Sequence, residues 1–346
     1  MIINRLKTTI FLFIVIIPVY LTSAEVDLNG FLSHSVEIKL PPGTNGLAPK
    51  LSLDYNSGAG NGIVGQGWSL NGLPAITRDT TNGIRYDGKD SYIGSSGRLK
   101  VQSDGSYHYE YENYSKVQKS GTAGDGPAYW VETKPDGTKY YYGNYGDINT
   151  ASVTAIGKNG SIRVWALSKV VDVHGNYYTV DYMQEDGEYY PKRIIYTQGN
   201  GISKLRVVDF EYGSRGDFWT QYIYSSAVTT KLRLEKIIVN IDVPEFLGWR
   251  LTFFGRKVRE YSIAYEGGLS GVDVSRVVKI YEFGLNNQIT DRSHFIWSPA
   301  QESDNGKYGL VTYRPWGGYS TGSGVWQSGD VNGDGKTDLI HMVGDY

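Results

Sequence analysis

Hydrophobic and polar positions alternate with a period of two along most of this chain. Leu51, Leu53 and Tyr55 fall on one face and Lys50, Ser52 and Asp54 on the other, as in a half-buried strand. Val36, Ile38 and Leu40 alternate with Glu37 and Lys39 to give an earlier strand. The pattern recurs at Leu99 and Val101, then at Tyr107, Tyr109 and Tyr111, which share a face. Trp130 to Thr133 and Tyr140 to Tyr142 flank a Pro135-Asp136-Gly137 turn. Ile162 to Val173 leads into His174-Gly175-Asn176, and the chain returns as Tyr178, Val180 and Tyr182. Further turns are expected at Asp104-Gly105 and Asp186-Gly187. Leu205 to Tyr212, Leu232 to Val243, Val258 to Tyr265 and Val277 to Phe283 continue the series, and His294 to Trp297 reads as a closing strand. No window of ~12 residues carries a helical period after the N-terminal segment. Short strands at intervals of about ten residues predict an all-β chain built on an extended antiparallel sheet.

Composition agrees, since 44 glycines supply turns and 29 tyrosines suit pleated surfaces. A net charge of -2 leaves no basic footprint for nucleic acid. There is no cysteine, which excludes disulfides, thiol catalysis and thiolate metal sites. At the N-terminus, Arg5 and Lys7 precede the apolar run Ile10 to Ile17. Pro18 breaks that run, and Thr22-Ser23-Ala24 supplies small residues for cleavage. Residues 1–24 therefore read as a secretory signal peptide, with the mature chain starting at Glu25. The run is shorter than the ~20 residues a spanning helix needs, and no later stretch is apolar enough to insert.

Three motifs carry candidate chemistry. Gly60-Asn61-Gly62-Ile63-Val64-Gly65 is a literal dinucleotide-type glycine pattern. That chemistry needs a helix opening at the loop to hold a pyrophosphate. Gly67, Gly72 and Pro74 oppose a helix here, so the glycines read as turn or close-approach positions. Glu110 and Glu112, with His108, would place two carboxylates on one strand face, as ADP-ribosyltransferases do, but no matching arginine strand or Ser-Thr-Ser element accompanies them, and the wet face of a tyrosine-backed strand accounts for them better. The sharpest motif is Asp330-Val331-Asn332-Gly333-Asp334-Gly335-Lys336-Thr337-Asp338. Oxygens from Asp330, Asn332, Asp334 and Asp338, with the Lys336 carbonyl and a tight glycine at position six, suit calcium. An EF-hand would need glutamate where His341 stands, and the flanks read as strand. The remaining histidines, His34, His174 and His294, are scattered and show no metal-ligand spacing.

The order Pro42 to Gly58, followed by Gly65-Gln66-Gly67-Trp68-Ser69-Leu70, resembles the opening signature of the SpvB/TcB toxin family. Trp165 to Asp172 with Gly175-Asn176-Tyr177, and Val258 to Tyr261 with Tyr265, are similar to two further landmarks of that family. Together they cover roughly Val26 to Trp297. Beyond Ser298, the segment Ser328 to Asp338 resembles an FG-GAP (integrin-α-like) repeat. The resemblance implies a β-rich shell domain over 25–298 and a truncated propeller-type repeat over 299–346. One repeat cannot close a propeller of ~4 or more blades, so a fragment or truncated product is expected. In the family, the shell encloses a toxic cargo and the propeller docks on a pore. The ADP-ribosyltransferase lies in a separate C-terminal domain, so its activity does not carry over to Glu110 and Glu112. The expected protein is a secreted, non-enzymatic β-scaffold that partners other toxin-complex components or further repeats. The alternative is a secreted, calcium-stabilised binding or adhesion module.

Overall fold

The computed structural model describes residues 25–26, 30–199, 204–244, 255–268 and 273–297, and backbone alone at 310–315, 325–329 and 338–342. The architecture is all-β, and the described residues include only two three-residue 3-10 turns, Thr44–Gly46 and Leu285–Asn287. The sheet is not simply extended: part of it closes into a ring. The strand Ala75–Arg78 pairs with Tyr92–Gly94, which pairs with Gly97–Val101. The series runs on through Tyr107–Tyr109, Lys116–Ser120, Tyr129–Thr133 and Lys139–Gly143. Lys139–Gly143 pairs with Ile162–Val171, which returns to Ala75–Arg78 through Val164↔Thr77, Trp165↔Ile76 and Ala166↔Ala75. A ring of this size has an interior that side chains can just fill. Trp130, Trp165, Tyr92 and Tyr107 fill it, edge to face, with ring centroids 4.8–6.3 Å apart.

Ile162–Val171 explains why the ring and the rest of the sheet are joined. Its residues from Ile162 to Ser168 are all buried, which an alternating half-wet strand would not show. Its first half meets Ala75–Arg78 and Ser152–Thr154, while Lys169 to Val171 also pair with Tyr177–Glu185. From there an antiparallel meander leaves the ring through Glu188–Gln198, Lys204–Ile223, Ser226–Pro244, Arg256–Glu266, Arg276–Phe283 and Ile289–Trp297. The expected strand at Leu205 to Tyr212 is the first half of a 20-residue strand. Glu188–Gln198 was not legible in the pattern, because Pro191, Lys192 and Arg193 interrupt it, and Pro191 sits at a register shift. The strand Leu310–Pro315 pairs with Ile289–Trp297 on the far side of the boundary expected after Ser298.

A second sheet of Glu25–Val26, Leu32–Ile38, Leu51–Asn56 and Trp68–Asn71 packs against the meander. Leu51, Leu53 and Tyr55 are buried as their alternation requires, whereas Leu40 lies beyond the strand end. Tyr111 corrects the expected tyrosine face. The strand stops at Tyr109, and Tyr111 is 83% exposed. At the C-terminus, Val325–Gly329 pairs with Asp338–Met342, so strands flank the expected calcium loop. Asp330, Asn332, Asp334 and Lys336 lie outside the described residues, as does the 1–24 segment.

Candidate functional site

The glycine loop forms a small hairpin, Asn61–Gly62 with Gly65–Gln66, turning at Ile63 and Val64. No helix follows it. The chain passes directly into the strand Trp68–Asn71. Gly65 has φ +96°, and a Cβ there would lie 2.6 Å from the Ser275 carbonyl oxygen. Glycine is needed for both reasons, and the close approach lets the Gln66 amide donate to that oxygen at 2.8 Å. The Leu234 amide donates to the Ile63 carbonyl, also at 2.8 Å.

Opposite the loop, the long hairpin is broken by a wide bulge. Ser214 pairs with Leu232 and Trp219 with Thr230, so Arg215 to Phe218 face Lys231 alone. The bulge re-aims its side chains. Arg215 turns inward and donates to the Gly62 carbonyl at 2.7 Å and to Asn61 Oδ1 at 2.5 Å. Its other face makes a bidentate contact with Asp217, at 2.8 and 2.7 Å. Asp217 also accepts from Asn61 at 2.9 Å, the Ser275 amide at 2.6 Å and the Ser275 hydroxyl at 2.9 Å. Burial by itself would push the Asp217 carboxyl up. Hydrogen bonds from Arg215, Ser275 and Asn61, with the Arg215 charge, instead hold it well below the usual carboxylate range.

Behind the loop, Trp68 is buried in an aromatic cage. Phe295 lies 4.8 Å away, Tyr55 5.5 Å and His34 6.4 Å, centroid to centroid. His34 is 4% exposed, and burial lowers its pKa to about 4 against the opposing charge of Asp54. Tyr261 accepts from the Lys39 amide at 2.8 Å, and Tyr265 donates to the Leu234 carbonyl at 2.5 Å. Gly65 of the first sequence landmark lies against the Tyr265 ring of the third, so those two landmarks meet at the seam between the small sheet and the meander.

A cleft of about 680 Å³ opens beside this seam. Asn61, Gly62, Glu188, Phe218, Trp219 and Thr230 are among its walls. The cleft was not legible in the sequence. The one available signal was the interruption Gly213-Ser214-Arg215-Gly216-Asp217 between two apolar runs. The expected carboxylate pair does not form a site. Glu110 lies beyond the strand end, 3.1 Å from Lys100 and 3.7 Å from Arg98. Glu112 instead meets His108 at 3.1 Å and the Tyr114 amide at 2.6 Å, and both glutamates are exposed. No group of three or more metal-ligating side chains occurs among the described residues. No helix among them is long and apolar enough to cross a membrane.

Comparison with known proteins places this geometry in context. The family model described as "Salmonella virulence plasmid 65kDa B protein" (SpvB) matches residues 26–238. A stretch of 71 residues is 39% identical to the Mono(ADP-ribosyl)transferase SpvB of Salmonella choleraesuis (strain SC-B67), and equally to that of Salmonella enteritidis. It spans 20% of this chain and only 12% of those relatives. The structure of the N-terminal domain of effector protein SpvB from Salmonella typhimurium strain LT2 is similar with a TM-score of 0.60 at 17% identity. That match covers 72% of this chain and 99% of the domain. The TcdB2-TccC3 structure is similar with a TM-score of 0.62 at 16% identity, over 90% of this chain and 19% of that one. A Photorhabdus luminescens Tc holotoxin pore also scores 0.62, at 17% identity over 90% of this chain and 18% of its own.

Proposed function

The chain belongs to the Salmonella virulence plasmid 65kDa B protein family, and from that premise we propose that it is a secreted, non-enzymatic β-scaffold of a toxin complex. Its role is to help encapsulate and dock other components of that complex. The observation that carries this reading is the fold likeness to TcdB2-TccC3 over 90% of the chain. The commitment of its buried charges supports it. Asp217 is held by Arg215, and Asp90 by Arg78 at 2.5 Å with side chains 1% and 0% exposed. Glu132 accepts from the Tyr142 hydroxyl at 2.7 Å and from Lys134 at 2.5 Å. An enzyme needs titratable groups that converge on substrate, and these are spent on structure. Co-expression with an RHS-type component of the TccC kind tests the reading. The two chains should elute as one complex, and independent elution would overturn it. Purified protein should also show no NAD-glycohydrolase activity, and an activity abolished by Glu112→Ala would refute the non-enzymatic role.

Calcium is proposed as the cofactor of the C-terminal loop. Asp330, Asn332, Asp334, the Lys336 carbonyl and Asp338 would hold it, between the paired strands Val325–Gly329 and Asp338–Met342. Calcium should raise the melting temperature of the chain, and Asp330→Ala with Asp334→Ala should abolish that rise. Export through residues 1–24 is tested by N-terminal sequencing of the secreted product, which should begin at Glu25. FG-GAP character for the 299–346 segment belongs to the same proposal and rests on the motif alone.

A further inference from the structure

The cleft between the glycine loop and the hairpin bulge has more built into it than the seam requires. Arg215 and Asp217 already fasten the loop, yet the same bulge leaves Phe218 58% exposed at the cleft. Beside it stands Trp219, one face of which is covered by the Arg215 guanidinium at 5.0 Å. On the opposite hairpin edge, Glu188 reaches the cleft from the first residue of its strand. Its carboxylate accepts from the Thr230 hydroxyl at 2.8 Å and from the Tyr189 amide at 3.0 Å, which fixes its position.

The three carboxylates that line the cleft differ in how their charge is met. Asp217 has Arg215. Asp273 has Arg276, at 2.7 Å. Among the described residues, Glu188 has no ion-pair partner and no lysine or arginine lines the cleft. A half-buried carboxylate favours a cation beside it, and an aromatic side chain on the wall of the same cleft attracts the same cation. The volume, about 680 Å³, lies in the usual range for a ligand pocket. The polar wall is rich in acceptors, which suits a ligand that only donates, as guanidinium and ammonium groups do.

We propose that this cleft binds one cationic side chain, arginine above lysine, presented by a peptide segment of a partner protein. The guanidinium would pair with Glu188, and its flat face would lie against Phe218. This site goes beyond the scaffold role and does not depend on it. A cationic anchor could seat on this chain whether or not the chain builds a shell.

An end-blocked Gly-Arg-Gly tripeptide titrated into the full chain, followed by calorimetry and tryptophan fluorescence, tests the proposal. Saturable binding is expected, weakened about fivefold or more by Glu188→Gln and by Phe218→Ala, and weakened again at high salt. Glu188→Gln keeps an acceptor for Thr230. Phe218→Ala removes an exposed side chain, so its melting temperature should match that of the parent and its binding result stands even if Glu188→Gln folds poorly. An equal response to a Gly-Gln-Gly control, binding that both variants leave unchanged, or tighter binding of a neutral disaccharide would each overturn the proposal.

Discussion

Inside the ring, Trp130 and Trp165 pack edge to face at 6.0 Å, and Tyr92 touches both, at 4.8 and 5.5 Å. At the glycine-loop seam, contact is instead made by a guanidinium, a carboxylate and backbone carbonyls that approach to within 2.5–2.9 Å. Both regions are buried, but they respond differently to loss. Most of what aromatic burial contributes is the non-directional hydrophobic term, so neighbours can relax partly into a gap. A buried ion pair is directional, and removing one partner strands the other in a low-dielectric setting. The ring should therefore set global stability, and the seam should set how firmly the small sheet and the hairpin hold together.

Three variants share the largest expected effect, and the first lies in the ring. Trp165→Ala opens a cavity and strands the Pro127 carbonyl that accepts from the indole at 2.9 Å. It should cost about 3–5 kcal/mol in denaturant unfolding. Trp68→Ala, in the cage behind the loop, should fall in the same range of about 3–5 kcal/mol. A full-strength fold in that variant would remove the structural role assigned to Trp68. Arg215→Ala should cost roughly 3–5 kcal/mol, since Asp217 is left buried without its charge partner. Its diagnostic is local: amide exchange should rise at Gly60 to Gln66 and Ser275 before it rises in the ring. Uniform exchange across both regions would erase the distinction between them.

A pH titration sharpens the comparison further. The His34 pKa is held near 4 by burial, against 6.5 in the unfolded chain. The unfolded state therefore binds a proton that the folded state refuses. Stability is complete above pH 6.5, falls as pH drops through that value, and levels off below about 4. The loss reaches about 3 kcal/mol and should largely vanish in His34→Gln. Because His34 packs on Trp68 and Phe295, the loss should appear first as separation of the small sheet. The smallest effect is Gly65→Ala, expected to cost about 1–3 kcal/mol through its positive φ and the close Ser275 carbonyl.

Much of the local structure was written in the residues. Period-two alternation placed Leu51, Leu53 and Tyr55 on the buried face, and the turns at Pro135 to Gly137 and Asp186-Gly187 fall between observed strands. Gly67, Gly72 and Pro74 correctly ruled a helix out after the glycine loop. The seam and the cleft were not legible. Arg215 stands 153 positions from the Gly62 carbonyl it grips, and nothing near either residue announces the other. Glu188 was hidden within a strand whose pattern Pro191 and the charges after it obscure.

What the sequence alone determined is which face of strands such as Leu51–Asn56 is apolar and where the chain turns between them. Only the tertiary structure decided which strand pairs with which. Ile162–Val171 meets four neighbours at once, and that sharing is what closes the ring and releases the meander. The physical reason is that alternation is a local property of the backbone, fixed residue by residue by the pleat. Pairing is chosen instead by which buried faces, bulges and stranded charges can be satisfied together across the whole chain.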